Sequence, residues 1–151
     1  MAMITEGVQQ TLTVLYPLYK NEVYQRREHM IRLTAFGAFG LIAMIFALLL
    51  SPVKSRLSSP ESVLLALGSL TWCALFCGLV LQQQHRHRLA KQVLIQLEQA
   101  LGFYEDGLFV DHQTLYPAKW KTAWLTDRTG LHYYASLCGL TGIFLFALIL
   151  V

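Results

Sequence analysis

Three stretches of the chain, Leu33 to Leu50, Val63 to Leu81 and Leu131 to Val151, are apolar and contain no Asp, Glu, Lys or Arg. As α-helices their 18, 19 and 21 residues reach about 27, 28 and 31 Å, close to the roughly 30 Å of a bilayer's hydrocarbon core. Each is expected to span a membrane. Between them the pattern changes. In the first 32 residues, Gln9, Tyr16, Val23, Met30 and Leu12, Tyr19, Arg26, Leu33 alternate in heptad order, so the segment reads as a helix running into the first span. Gln9 and Arg26 interrupt that seam, and Pro17 suits only a first turn or a kink. Glu22 with Arg26 and Glu28 with Arg32 stand at i,i+4, each pair supporting the helix by about 0.3–0.5 kcal/mol.

The second span predicts a longer helix than the membrane needs. Ser59 is placed to cap it, Pro60 suits the first helical position, and Glu61 complements the dipole. No Gly or Pro follows from Leu79 to Leu101 until Gly102 offers a stop. The expected helix has about 40 residues and a length on the order of 60 Å, its last 20 or so lying outside the membrane. On that extension Ala90, Val93, Leu94, Leu97, Ala100 and Leu101 form an apolar stripe at three and four spacing. A stripe of that width must be covered. The N-terminal helix is the natural cover within one chain, and pairing between subunits is the alternative; Val93, Leu94, Leu97 and Leu101 are the candidate partner-binding residues.

Charge sets the orientation. Ten of the Lys and Arg residues lie in the N-terminal segment and the long loop, against Lys54 and Arg56 in the short loop. The positive-inside rule places the ten in the cytoplasm. The expected organisation is a cytoplasmic juxtamembrane helix over 1–32, a first span over 33–50 and a short external loop over 51–62. A second span follows over 63–81, then a cytoplasmic helix and interfacial segment over 82–130, and a third span over 131–151. The fold class is an all-α membrane protein with three transmembrane helices, the second extended into the cytoplasm, and a small amphipathic or irregular cytoplasmic region. In a bacterial cell this is an inner-membrane protein with its N-terminus cytoplasmic and its C-terminus external. The first span is read as a retained helix, because its apolar core begins only after Lys20, Arg26 and Arg27 and no small-x-small cleavage pattern follows. A hydrophobic share of 55% with 14% charged residues supports the membrane assignment over a soluble domain of this length.

His85, Arg86, His87 and Arg88 follow the second span directly. Residues two apart on a helix point about 200° from one another, so the run cannot chelate one ion. Arg86 and Arg88 are expected at lipid headgroups instead. The long loop carries Trp120 and Trp124 at i,i+4 after Pro117, flanked by Lys119 and Lys121 and followed by His132, Tyr133 and Tyr134, which reads as a segment lying at headgroup level. Leu108 to Val110 suit a short extended piece beside a turn at Asp106 and Gly107.

Within the spans the informative residues are small. Ser69, Cys73 and Cys77 form one i,i+4 row and Ala135 and Gly139 another, with Ala74 and Gly78, and Ala43 and Ala47, as further rows. These are the expected helix-packing positions. The three cysteines are read as small apolar residues. Thr34, Thr71, Ser136 and Thr141 are expected to bond to carbonyls of their own helices rather than to line a polar pore.

Glu105, Asp106, Asp111 and His112 are the place where acid/base chemistry could assemble, and they read as solvated turn residues. No nucleophile motif, Gly-rich phosphate loop or metal-ligand spacing accompanies them. No catalytic residue, cofactor or metal is expected. The function expected is that of a non-catalytic structural or accessory subunit of a membrane assembly. Its partners would be membrane lipid and other membrane subunits or copies of itself, not nucleic acid. The layout of spans with a cytoplasmic helical extension also resembles small oligomeric membrane effectors of bacterial defence systems, a likeness of architecture carried by no motif. That resemblance implies the alternative, a homo-oligomeric pore-forming or membrane-disrupting effector.

Overall fold

The computed structural model describes residues 6–50, 59–123 and 129–150. It is all-helical, with helices α1 (Glu6–Leu50), α2 (Ser59–Ala100) and α3 (Thr129–Ile149), and a short 3-10 helix, Ala118–Thr122. All three α-helices are long and apolar enough to cross a membrane. The N-terminal segment and the first span form the one helix α1, and α2 reaches Ala100 without a break, in keeping with the absence of Gly and Pro from Leu79 to Leu101. Pro17 lies inside α1. It offers no N–H to the carbonyl of Thr13, so the helix tolerates it one backbone bond short.

The chain divides into two compact units, one of Met1–Glu28 with Gln84–Asp127, the other of His29–Gln83 with Arg128–Val151. The second, the apolar unit, is built around Leu41, Cys73, Phe76 and Leu137, with Ala38, Trp72, Cys77 and Leu140 packed against them. Where the surroundings are as apolar as the core, burying a leucine gains little from solvent, and helices associate through close contact and hydrogen bonds. Close contact is made at Gly37 and Gly40 of α1. A Cβ at Gly37 would stand 2.8 Å from Phe76 Cγ and 3.1 Å from Leu137 Cδ2, and one at Gly40 would stand 2.6 Å from Trp72 Cζ2. Trp72 and Phe76 fill this notch with their rings 4.9 Å apart.

Hydroxyls in the apolar unit bond within their own helices: Thr34 to the Met30 carbonyl at 2.9 Å, Thr71 to Leu67 at 2.8 Å, Ser136 to His132 at 2.7 Å and Thr141 to Leu137 at 2.9 Å. Ser69, also buried, donates to Ala66 at 2.9 Å. Side chains satisfied this way carry no polar surface into the core.

The other, polar unit is closed by the end of α2. Phe103 N–H donates to the Glu98 carbonyl at 3.0 Å and Gly102 N–H to Gln99 at 3.1 Å, with Gly102 at φ +78°. This is a Schellman stop, which needs a left-handed residue at that place. The chain then makes a loop from Phe103 to Tyr116, tied at its base by the Tyr116 N–H donating to the Phe103 carbonyl at 3.0 Å. Within it, an isolated bridge joins Val110 and Gln113, and His112 takes φ 56°. Leu108–Val110 therefore form no strand, and the turn with Pro117 at its start is 3-10 rather than α.

Candidate functional site

The polar unit contains a cleft of about 300 Å³ lined by Val23 of α1, Lys91, Leu94, Ile95 and Glu98 of α2, and Tyr104, Trp120 and Ala123. The inward positions of α2 here are Gln84, His87, Ala90, Ile95 and Glu98. The expected stripe flanks that line: Val93, Leu94, Leu97 and Leu101 are half-buried and Ala100 is exposed. Leu94 faces the cleft together with Val23, so part of the stripe is covered within the chain. On α1, Tyr16, Val23, Leu12, Tyr19 and Arg26 of the heptad series are half-buried, and Arg26 pairs with Glu22.

Glu98 is the polar centre of the cleft. Its side chain is only 8% exposed, and its Oε2 accepts a hydrogen bond from the Tyr104 hydroxyl at 2.7 Å. Burial raises the carboxyl above its ordinary pKa, opposed by the Tyr104 hydrogen bond and the positive charge of Lys20. The phenol of Tyr104 is raised in turn, by burial first and then by holding its proton toward Glu98. Lys121 Nζ stands 5.4 Å from the centre of the Tyr104 ring.

An aromatic cluster supports this pair. Phe103 meets Tyr16, Phe109 and Tyr116 edge-on, each at 5.5 Å between ring centres. Tyr116 also meets Tyr104 at 5.9 Å and Trp120 at 5.4 Å. Such pairs contribute about 0.5–1.5 kcal/mol each beyond the area they bury. The Tyr16 and Tyr116 hydroxyls lie 3.1 Å apart. Burial, followed by that bond, holds the Tyr16 phenol above its ordinary pKa.

The acidic residue that the structure gathers is therefore Glu98, while Glu105, Asp106, Asp111 and His112 are exposed. It went unrecognised in the sequence, where the faint signal is that Glu98 follows Leu94 by four and Ile95 by three, with Tyr104 just past the Gly102 stop. The cleft has a hydrogen-bonded acid, a phenol and a lysine, an arrangement suited to binding. Among the described residues, the polar unit brings no three His, Cys, Asp or Glu donors together.

The remaining expected positions fall as follows. Arg86 and Arg88 are exposed. Trp120 is 46% exposed, and its ring also meets Tyr116 at a tilt and lines the cleft, so it is partly a packing residue. Trp124 lies outside the described residues. In the apolar unit, Ser69 and Cys73 are buried and Cys77 is half-buried, so that row packs. Ala135 and Gly139 are exposed, and a Cβ added at Gly139 would meet nothing within 4 Å. The close approach lies instead at Gly37 and Gly40, spaced at i,i+3 rather than in an i,i+4 row.

No family model matches the chain, and no curated protein or solved structure matches it.

Proposed function

We propose that this is a non-catalytic integral membrane protein, a structural or accessory subunit of a membrane assembly, with its polar unit cytoplasmic and its C-terminus external. The observation that carries the reading is how little of the spans their own bundle covers. The apolar windows of α1, α2 and α3 are 17%, 22% and 17% buried. The uncovered faces hold Phe36, Phe39, Phe46, Leu64, Leu67, Leu75, Phe146 and Ile149, each at least 56% exposed, so lipid or further helices must clothe them. No Asp, Glu, Lys or Arg lies in any of the three stretches, which disfavours a transporter or a proton relay built on such charges.

The polar unit adds a second surface. Leu108, Phe109, Val110 and Leu115 of the 103–116 loop are 49%, 54%, 41% and 42% exposed, an apolar group suited to a subunit or the lipid interface. The experiment is a mass measurement of the native particle in nanodiscs, with identification of copurifying chains. A particle larger than the 17.1 kDa chain that contains a second membrane protein supports the reading. A lone chain overturns it.

The homo-oligomeric effector is favoured by one observation, the outward faces at Gly68, Gly78, Gly139 and Gly142, where an added Cβ would meet nothing within 4 Å. Backbones of neighbouring copies can approach closely at such places. On this reading overexpression depolarises cells, and Gly139→Leu relieves the effect; unchanged membrane potential removes it.

A further inference from the structure

The apolar unit brings together the three cysteines of the chain. Cys73, Cys77 and Cys138 have their sulfur atoms within 4.8 Å of one another, and Cys73 Sγ lies 4.0 Å from Cys77 Sγ. The placement follows from the packing. Cys73 and Cys77 stand one turn apart on α2, and Cys138 follows Leu137, whose side chain is fully buried in the same core as Cys73. The donors come from two helices, in an order of burial from Cys73, buried, through Cys77, half-buried, to Cys138, exposed.

We propose that these three thiols form a binding site for a soft monovalent cation, Cu(I), within the apolar helices. Three sulfurs at about 2.3 Å from one ion in a trigonal plane stand about 4.0 Å from each other. The Cys73–Cys77 pair already has that spacing, and the widest pair closes with a side-chain adjustment under about 1 Å. Thiol sulfur selects Cu(I) over harder cations. No His or carboxylate joins the cluster among the described residues, so the fourth protein ligand of a closed structural zinc site is missing.

Charge points the same way. Cu(I) entering the site displaces one thiol proton to water, leaving one thiolate and two neutral thiols on the ion and no net charge. Zn(II) reaches neutrality only with two thiolates, so two protons must leave, and a third thiolate would leave a charge of −1, which an apolar surrounding penalises.

The test uses the full chain, reduced and free of oxygen, in nanodiscs, titrated with Cu(I) against a chromogenic Cu(I) chelator. One Cu(I) per chain should be retained, with one proton released per ion, and X-ray absorption should find three sulfur neighbours at about 2.3 Å. Cys138→Ser leaves the buried core intact, which an unchanged tryptophan emission checks. It should weaken retention by more than the roughly 10–100-fold that loss of an outer-shell partner costs a metal site. Failure to hold Cu(I) against the chelator overturns the proposal, as does retention unaltered by Cys138→Ser or a preference for Zn(II).

Discussion

The indole Nε1–H of Trp72 donates to the backbone carbonyl of Gly37 across 3.1 Å, from α2 to α1. The same tryptophan is the ring that a side chain at Gly40 would strike. A hydrogen bond and a close approach thus depend on one another. The ring reaches the carbonyl because two glycines, at i and i+3, leave the face of α1 bare. An indole N–H in an apolar setting needs an acceptor, and a helix carbonyl with a spare lone pair provides it.

Gly40→Leu should force Trp72 out of its notch and destabilise the apolar unit by about 1–3 kcal/mol, the usual range for overpacking. Trp72→Phe keeps most of the ring and loses the donor, so its effect should be smaller, about 0.6 kcal/mol. Unfolding in mixed micelles at increasing denaturing detergent measures both. Equal effects would show that the glycine notch is not what seats the ring.

Glu98 makes the polar unit sensitive to pH, in a direction set by its raised pKa. The folded state binds the proton more tightly than the unfolded chain does, so this group opposes folding once pH exceeds its folded pKa. The opposition is relieved as pH falls toward the ordinary carboxyl value, below which both states are protonated and the difference vanishes. The polar unit should therefore resist thermal unfolding better near pH 5 than near pH 7 with respect to this residue. Glu98→Gln keeps an acceptor for Tyr104 and should flatten that difference. A pH profile identical in the variant and the parent would remove Glu98 as its source.

Tyr104→Phe should act in the opposite sense on the same carboxyl. The Tyr104 hydrogen bond opposes the rise in the Glu98 pKa, so removing it should move the Glu98 titration to higher pH and cost about 1–3 kcal/mol at neutral pH, where a buried charge loses its donor. Carbon-13 detection of the Glu98 carboxyl across a titration reads this directly.

Gly102→Ala should loosen the loop from Phe103 to Tyr116. Gly102 holds φ +78°, and a Cβ there would run into Leu108, so the loss should exceed about 1 kcal/mol. Limited proteolysis within residues 103–116 should become faster while the helical content from the spans stays constant. Parent-like resistance would mean that the Schellman stop does not hold the loop.

Orientation is tested by single cysteines at Ser58→Cys and Gln113→Cys, with Cys73→Ala, Cys77→Ala and Cys138→Ala in the background. A membrane-impermeant thiol reagent applied to intact cells should label only the first. Labelling at position 113 would reverse the placement drawn from the ten to two charge asymmetry.

The three helices were legible in the sequence because charge-free runs of spanning length and a Gly–Pro-free extension leave the backbone few alternatives. The stop at Gly102 was legible too, since a left-handed residue after a long periodic run has one usual meaning. Residues whose role depends on what stands opposite them were not. Gly37 and Gly40 matter only because Trp72 and Phe76 arrive there, and Ala135 and Gly139, equally small, face away from the core. Glu98 looks like one more polar residue on α2 until the 103–123 segment folds back and places the Tyr104 hydroxyl on its carboxylate. The three cysteines, 61 residues apart between Cys77 and Cys138 in sequence, meet because Leu137 packs into the core that holds Cys73. Periodicity along one helix fixes which residues share a face, while contact between faces depends on helix rotation and pairing, which only the packed tertiary structure decides.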